Sequence, residues 1–193
     1  MKIVQSFWSK PSTQENESFN EKTFGGWREK KYEYISWTLS CLTLKKFYPN
    51  IEIVTDYKGA KLLIDQLQLP YKKVSTELDT LNNYPKQLWA VGKLHTYGIQ
   101  KEPFIHVDND IYIWEKFSND IESARLISQH VDDDERDYEF ALNHLKEHNI
   151  NLPPLLLDDL RAYQRFNSSN AGIIGGNDLD FFKEYVKESF DFI

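Results

Sequence analysis

Hydrophobic positions change period several times along the chain, and each change marks an element. Lys2 to Trp8 is a short β-favouring run closed by Ser9, Lys10 and Pro11, which predicts a first strand ending in a turn. Ser12 to Lys30 is polar, carries Gly25 and Gly26 and has no period, so it reads as a loop long enough to cover a site. From Tyr32 to Tyr48 apolar residues recur at helical spacing: Tyr34, Trp37, Cys41, Leu44 and Tyr48, with Ile35, Leu39 and Leu42. That pattern predicts a helix with a wide buried face, stopped by Pro49 and Asn50. Ile51 to Thr55 predicts a buried strand ending at Asp56. An amphipathic helix follows Gly59, running through Leu62, Leu63, Ile64 and Leu67 to Leu69, where Pro70 closes it. Lys72 to Ser75 is a weaker strand, Gln87 to Ile99 a helix, and Phe104 to Val107 a strand entered through Pro103.

Strands alternating with helices imply crossover connections and a mostly parallel central sheet with helices on both faces, a Rossmann-like α/β class. In such sheets ligands bind beyond the carboxyl ends of the strands. Three strand ends carry polar groups there: Ser6 with Ser9, Asp56, and Asp108 with Asp110. After Trp114 the pattern is less regular. It suggests a strand from Ala124 to Gln129, an acidic run, helices from Tyr138 to His148 and Pro154 to Tyr163, and then SSNAGIIGGNDLDFFKEY. No repeat or low-complexity tract interrupts the chain, which reads as one domain over 1–193.

Composition narrows the partners. A formal charge of −7 and a pI near 5.3 argue against affinity built on nucleic-acid phosphates. An anionic ligand would instead need a metal ion or a few placed Lys and Arg. The single cysteine, Cys41, allows no intrachain disulfide, sits at helical spacing among apolar residues and reads as a buried structural thiol. MKIVQSFWSK is too short in apolar residues for a signal-peptide core or a membrane span, so the expectation is a cytoplasmic protein with no more than peripheral membrane contact.

The stretch PFIHVDNDIYIW, from Pro103 to Trp114, places two carboxylates in an apolar run. If the extended conformation persists, Asp108 and Asp110 share a side, with Cα atoms about 6 to 7 Å apart. Two carboxylates that close raise each other's pKa unless a cation separates them, and Mg²⁺ or Mn²⁺ takes one or two protein carboxylates plus water and phosphates. The alternative is that Asp108, Asn109 and Asp110 form a turn, which Asx residues favour.

FIHVDNDIYIW resembles the DXD motif of GT-A glycosyltransferases, in which apolar residues lead into Asp-x-Asp at the end of a central strand. Around it stand KIVQSFWS, a strand ending in VTD, the helix QLWAVGKLHTYGIQ and, about sixty residues on, NAGIIGG. The resemblance implies a GT-A-like fold, Mn²⁺ or Mg²⁺ at Asp108 and Asp110, and a nucleoside-diphosphate sugar donor of the UDP type. It implies donor contacts at Ser6, Phe7, Asp56, Lys93 and Asn109, with Lys93 matching a basic residue on the helix before the motif. Asn170, Gly175 and Gly176 match the sugar and acceptor side. The acceptor implied is a glycan or glycolipid hydroxyl, in cell-surface polysaccharide assembly. Family members often have a third ligand, commonly His, near the C-terminus. Here the last histidine is His148, so the resemblance implies either a family without that ligand or a chain truncated at its C-terminus.

An inverting enzyme needs a carboxylate base, for which Asp178 and Asp180 are the candidates; a retaining enzyme needs none there. Asp132 to Asp137 reads as a solvated charged run, and His130, His144 and His148 as surface residues. Two other functions remain open: a phosphatase of the haloacid-dehalogenase type, whose Asp-x-Asp also ends a strand, and a nucleotide- or sugar-binding module without turnover.

Overall fold

The computed structural model describes residues 1–12, 26–132, 135–163 and 168–193. Most of the loop expected between Ser12 and Lys30 lies outside the described residues, as does part of the acidic run. Strands β1 (Lys2–Phe7), β2 (Ile51–Thr55), β3 (Lys73–Ser75), β4 (Phe104–Val107), β5 (Ile127–Asp132) and β6 (Ser168–Gly176) form one six-stranded sheet in the order β3-β2-β1-β4-β6-β5. The first four pair in parallel, whereas β6 runs antiparallel between β4 and β5. The protein is therefore α/β with a mixed, mostly parallel sheet.

β2 is buried along all five residues, which is why its sequence is a continuous apolar-rich run and not an alternating one. Successive side chains of β1 go to opposite faces, where the helices cover them. Ile3 and Phe7 join Trp37, Cys41 and Leu44 of α1 (Lys30–Phe47) on one face. Val4 joins Val91 and Tyr97 of α3 (Val91–Gly98) and Phe182 of α7 (Leu179–Phe192) on the other. Phe104 and Phe182 pack at 4.8 Å between ring centroids, and burying such a ring is worth about 1.5–3 kcal/mol.

Helix α1 corrects the wide buried face expected of it. Ile35, Leu39 and Leu42 are exposed, and the inner face is instead Glu33, Ser36, Trp37, Ser40, Cys41 and Leu44. Two serines replace apolar residues on that seam because they bond the backbone leaving β4, as described below. The helix expected from Gly59 to Leu69 is a short α2 (Tyr57–Ala60) that widens into a π-helical segment at Lys61–Gln66. Gln68 then takes a left-handed conformation (φ 52°), which ends the coil before Pro70. α4 (Asn119–Ser123), α5 (Glu135–Glu147) and α6 (Pro154–Tyr163) complete the set. Asp178 caps α7 by accepting from the Phe181 amide at 3.1 Å. Among the described residues no helix is long and apolar enough to cross a membrane.

Candidate functional site

The chain passes from β1 outward to β2 and β3, then returns to place β4 on the other side of β1. The region beyond the carboxyl ends of β1 and β4 is thus the topological switch point, where open α/β sheets bind ligands. Its walls are α1 on one side and α3 on the other.

β4 ends at Val107, and Asn109 and Asp110 form a turn in which the Ile111 amide bonds the Asp108 carbonyl at 3.3 Å. The expected extended path through Asp110 gives way to that turn, as the Asx residues favour. The turn is pinned from both sides. Ser40 Oγ and Gln5 Nε2 donate to the Asp108 carbonyl at 3.2 and 3.4 Å, and Ser36 Oγ donates to the Asn109 carbonyl at 2.7 Å. From β6, the Gly172 carbonyl accepts the Asp108 amide at 2.8 Å.

The Asp108 carboxylate projects toward α3, where Lys93 Nζ meets its Oδ2 at 2.5 Å. Lys93 also lies over the exposed Trp89 ring, 5.7 Å from its centroid. Gly92 permits the approach, since a Cβ there would come within 2.9 Å of Trp8 and push α3 off the end of β1. Burial lifts the Asp108 carboxyl to about 6, Lys93 opposes the rise and the charge of Asp110 adds to it. Asp110 is exposed, so a solvent-facing carboxylate stands within electrostatic reach of the half-buried one that Lys93 holds.

His106, not anticipated as a site residue, completes the cluster. It precedes Asp108 by two positions on a strand, and that alternation is the signal that would have found it. Ser6 Oγ and His106 Nε2 are 2.8 Å apart, while Nδ1 is buried without a hydrogen-bond partner among the described residues and lies 3.7 Å from Asp108 Oδ1. Burial, and then Lys93, hold the imidazole well below its ordinary pKa, so it is neutral.

The structure thus gathers Ser6, Lys93, Asp108, Asn109 and Asp110 at one strand end. Asn170 approaches through β6, where its Oδ1 accepts from the Gly172 amide at 2.9 Å. Other expected residues lie elsewhere or are engaged otherwise. Phe7 is buried, with its ring edge-on to Trp37 at 5.2 Å, and serves the core instead of presenting a face to a base. Asp56 is buried and accepts three hydrogen bonds, from the Ser9 amide and hydroxyl and from the Gly59 amide, at 2.9, 2.7 and 2.7 Å. It ties the end of β1 to the cap of α2.

Gly175 and Gly176 pair with Ile105 and Phe104, at the start of β4 and therefore the far end of the sheet from Asp108. A Cβ on Gly175 would meet the Phe104 carbonyl at 2.1 Å, so its missing side chain makes room for backbone, not for a ligand beside Asp108. Asp178, held by Arg125 at 2.6 Å, and Asp180, paired with Lys183, follow that same far end. Neither stands where a base at Asp108 would be.

Asp108 and Asp110 offer a hard cation two carboxylates; His106 Nδ1 stands 3.7 Å from Asp108 Oδ1, but among the described residues no His, Cys, Asp or Glu joins both carboxylates in a three-ligand group. That donor set suits Mg²⁺ or Mn²⁺, which complete their shells with water and phosphate oxygens. Lys93 must release Oδ2 for such an ion to use it. Two cavities formed by described residues lie away from this cluster. One of about 640 Å³, lined by Lys2, Glu52, Lys73 and Glu102, is at the amino ends of the parallel strands, and one of about 480 Å³ lies between Tyr84, His95 and Phe190.

Fold and site together define an α/β protein with an acidic cluster at its switch point, in which Lys93 pairs with Asp108. The chain belongs, over residues 1–193, to a family of unknown function, DUF6734. No curated protein matches it.

Proposed function

We propose that this protein is a metal-dependent glycosyltransferase of the GT-A type. It moves a sugar from a nucleoside-diphosphate donor to a hydroxyl of a glycan or glycolipid. The observation that carries the reading is the joint placement of Lys93, Asp108 and the exposed Asp110 beyond the β1 and β4 carboxyl ends. An acidic chain that binds a diphosphate needs local positive charge, and here Lys93 supplies it. Asp108 and Asp110 would hold Mn²⁺ or Mg²⁺, which supplies Lewis-acid stabilisation of the negative charge on a departing diphosphate. Lys93, freed from Oδ2, turns to the phosphate oxygens, and Ser36 and Ser40 keep the turn in place through its carbonyls. Ser6 and Asn170 lie on β1 and β6, the strands that flank β4, and are the side chains we assign to the sugar or ribose hydroxyls.

The Lys93–Asp108 ion pair favours one second reading, a nucleotide- or sugar-binding module without turnover, in which the lysine permanently satisfies the carboxylate. Incubation with Mn²⁺, a panel of nucleotide sugars and glycan acceptors separates the readings. A transferase releases nucleoside diphosphate, a phosphatase of the haloacid-dehalogenase type releases inorganic phosphate, and a binding module releases neither. Absence of diphosphate release and of Mn²⁺-dependent nucleotide binding across the panel would remove the proposal.

A further inference from the structure

Helix α5 ends in a second cluster, remote in sequence from Asp108 and made of different ligands. His144, Glu147 and His148 are all exposed, and their ligand atoms lie within 4.8 Å of one another. The spacing explains the convergence: residues three and four apart share a helix face, so His144 meets both Glu147 and His148 across one turn. The two imidazole centroids are 4.2 Å apart.

Two features turn this proximity into a cation site. His148 Nδ1 lies 2.8 Å from the His144 carbonyl, which can only accept, so Nδ1 donates and Nε2 is the ring atom left to face a ligand. A backbone carbonyl fixing the tautomer of a ligating imidazole is the usual second support of a protein-bound metal. His144 and Glu147 lie in the last turn of α5 and His148 directly follows it, where the carbonyl ends of the helix attract positive charge.

We propose that His144, Glu147 and His148 form a surface site for a first-row transition ion of the zinc type. Two imidazoles and one carboxylate match the preferences of Zn²⁺, and water fills the remaining position because all three residues face solvent. The site differs in kind from the oxygen-only pair at Asp108 and Asp110, so magnesium does not compete for it.

The test is calorimetric titration of the chelator-stripped full chain with zinc chloride in the presence of excess Mg²⁺. One zinc per chain is expected. His144→Asn and His148→Asn each weaken uptake by about tenfold or more, since removing a ligand costs at least as much as removing the group that orients one. The double variant loses specific uptake, and Glu147→Gln weakens it less. Because the three side chains are exposed, circular dichroism of the variants should match the wild type. Zinc uptake that is undiminished in the double variant, or no uptake by the wild type at sub-millimolar zinc, overturns the proposal.

Discussion

Lys93, from the helix that precedes β4, closes on the carboxylate of Asp108, from the turn that follows it, at 2.5 Å. Both side chains are mostly buried, at 23% and 18% exposure, so neither is a freely solvated surface charge. Lys93→Met leaves the carboxylate without its cation and is expected to lower unfolding free energy at pH 8 by about 1–3 kcal/mol. Urea denaturation measures it, and a variant as stable as the wild type would mean that the pair contributes nothing net.

Asp110 adds repulsion to Asp108 and is exposed. Asp110→Asn is therefore expected to keep or slightly raise the melting temperature while abolishing Mn²⁺-dependent binding of a nucleoside diphosphate. Titration calorimetry with and without Mn²⁺ reads both halves, and unaltered metal-dependent affinity would take Asp110 out of the site.

Asp56 is expected to act on stability. Asp56→Ala removes three acceptor contacts and the cap of α2, at a cost of about 2–4 kcal/mol. A midpoint shift too small to resolve in urea would contradict this.

Gly176 has φ +138° and no room for a side chain, since a Cβ would lie 2.1 Å from the Arg125 carbonyl. Gly176→Ala should cost about 3 kcal/mol or more, or leave the protein insoluble. A melting temperature close to that of the wild type would show that the backbone at Arg125, just before β5, yields easily there.

Burial holds the His95 imidazole below its ordinary pKa of 6.5, and Nε2 is buried with no hydrogen-bond partner among the described residues. Above that pH the side chain is neutral both folded and unfolded. On acidification the unfolded chain takes its proton first, so stability present above pH 6.5 falls until the folded imidazole also titrates. His95→Gln is expected to melt with a smaller loss between neutral pH and pH near 5, the remaining loss including that from buried His106. Identical acid sensitivity in variant and wild type would exclude His95 as a contributor.

Sequence period was sufficient for β2 and β4, whose apolar runs sit between strong stops, and for the alternation that fixes the α/β class. Period did not place Lys93 beside Asp108; that expectation came from the resemblance of FIHVDNDIYIW and the helix before it to the GT-A motif, and the extended path expected through Asp110 is a turn. The position of β6 was not legible. It pairs with β4 across more than sixty residues, and its antiparallel direction reverses which residues reach Asp108: Gly172, not Gly175 or Gly176. A glycine can free space for a ligand or for another backbone, and only the register distinguishes them. Ser36 and Ser40 escaped notice because a helical period counts apolar residues, whereas these positions face inward to bond carbonyls.

The placement of β6 also bears on how the chain is made. Of the six described strands it is made last, yet it belongs inside the sheet, between β4 and β5. Until Ser168–Gly176 emerges, the outer edge of the fully buried β4 has no partner. A nascent chain paused after α6 therefore carries a bare, apolar strand edge, the kind of surface that chaperones shelter and that neighbouring chains adhere to.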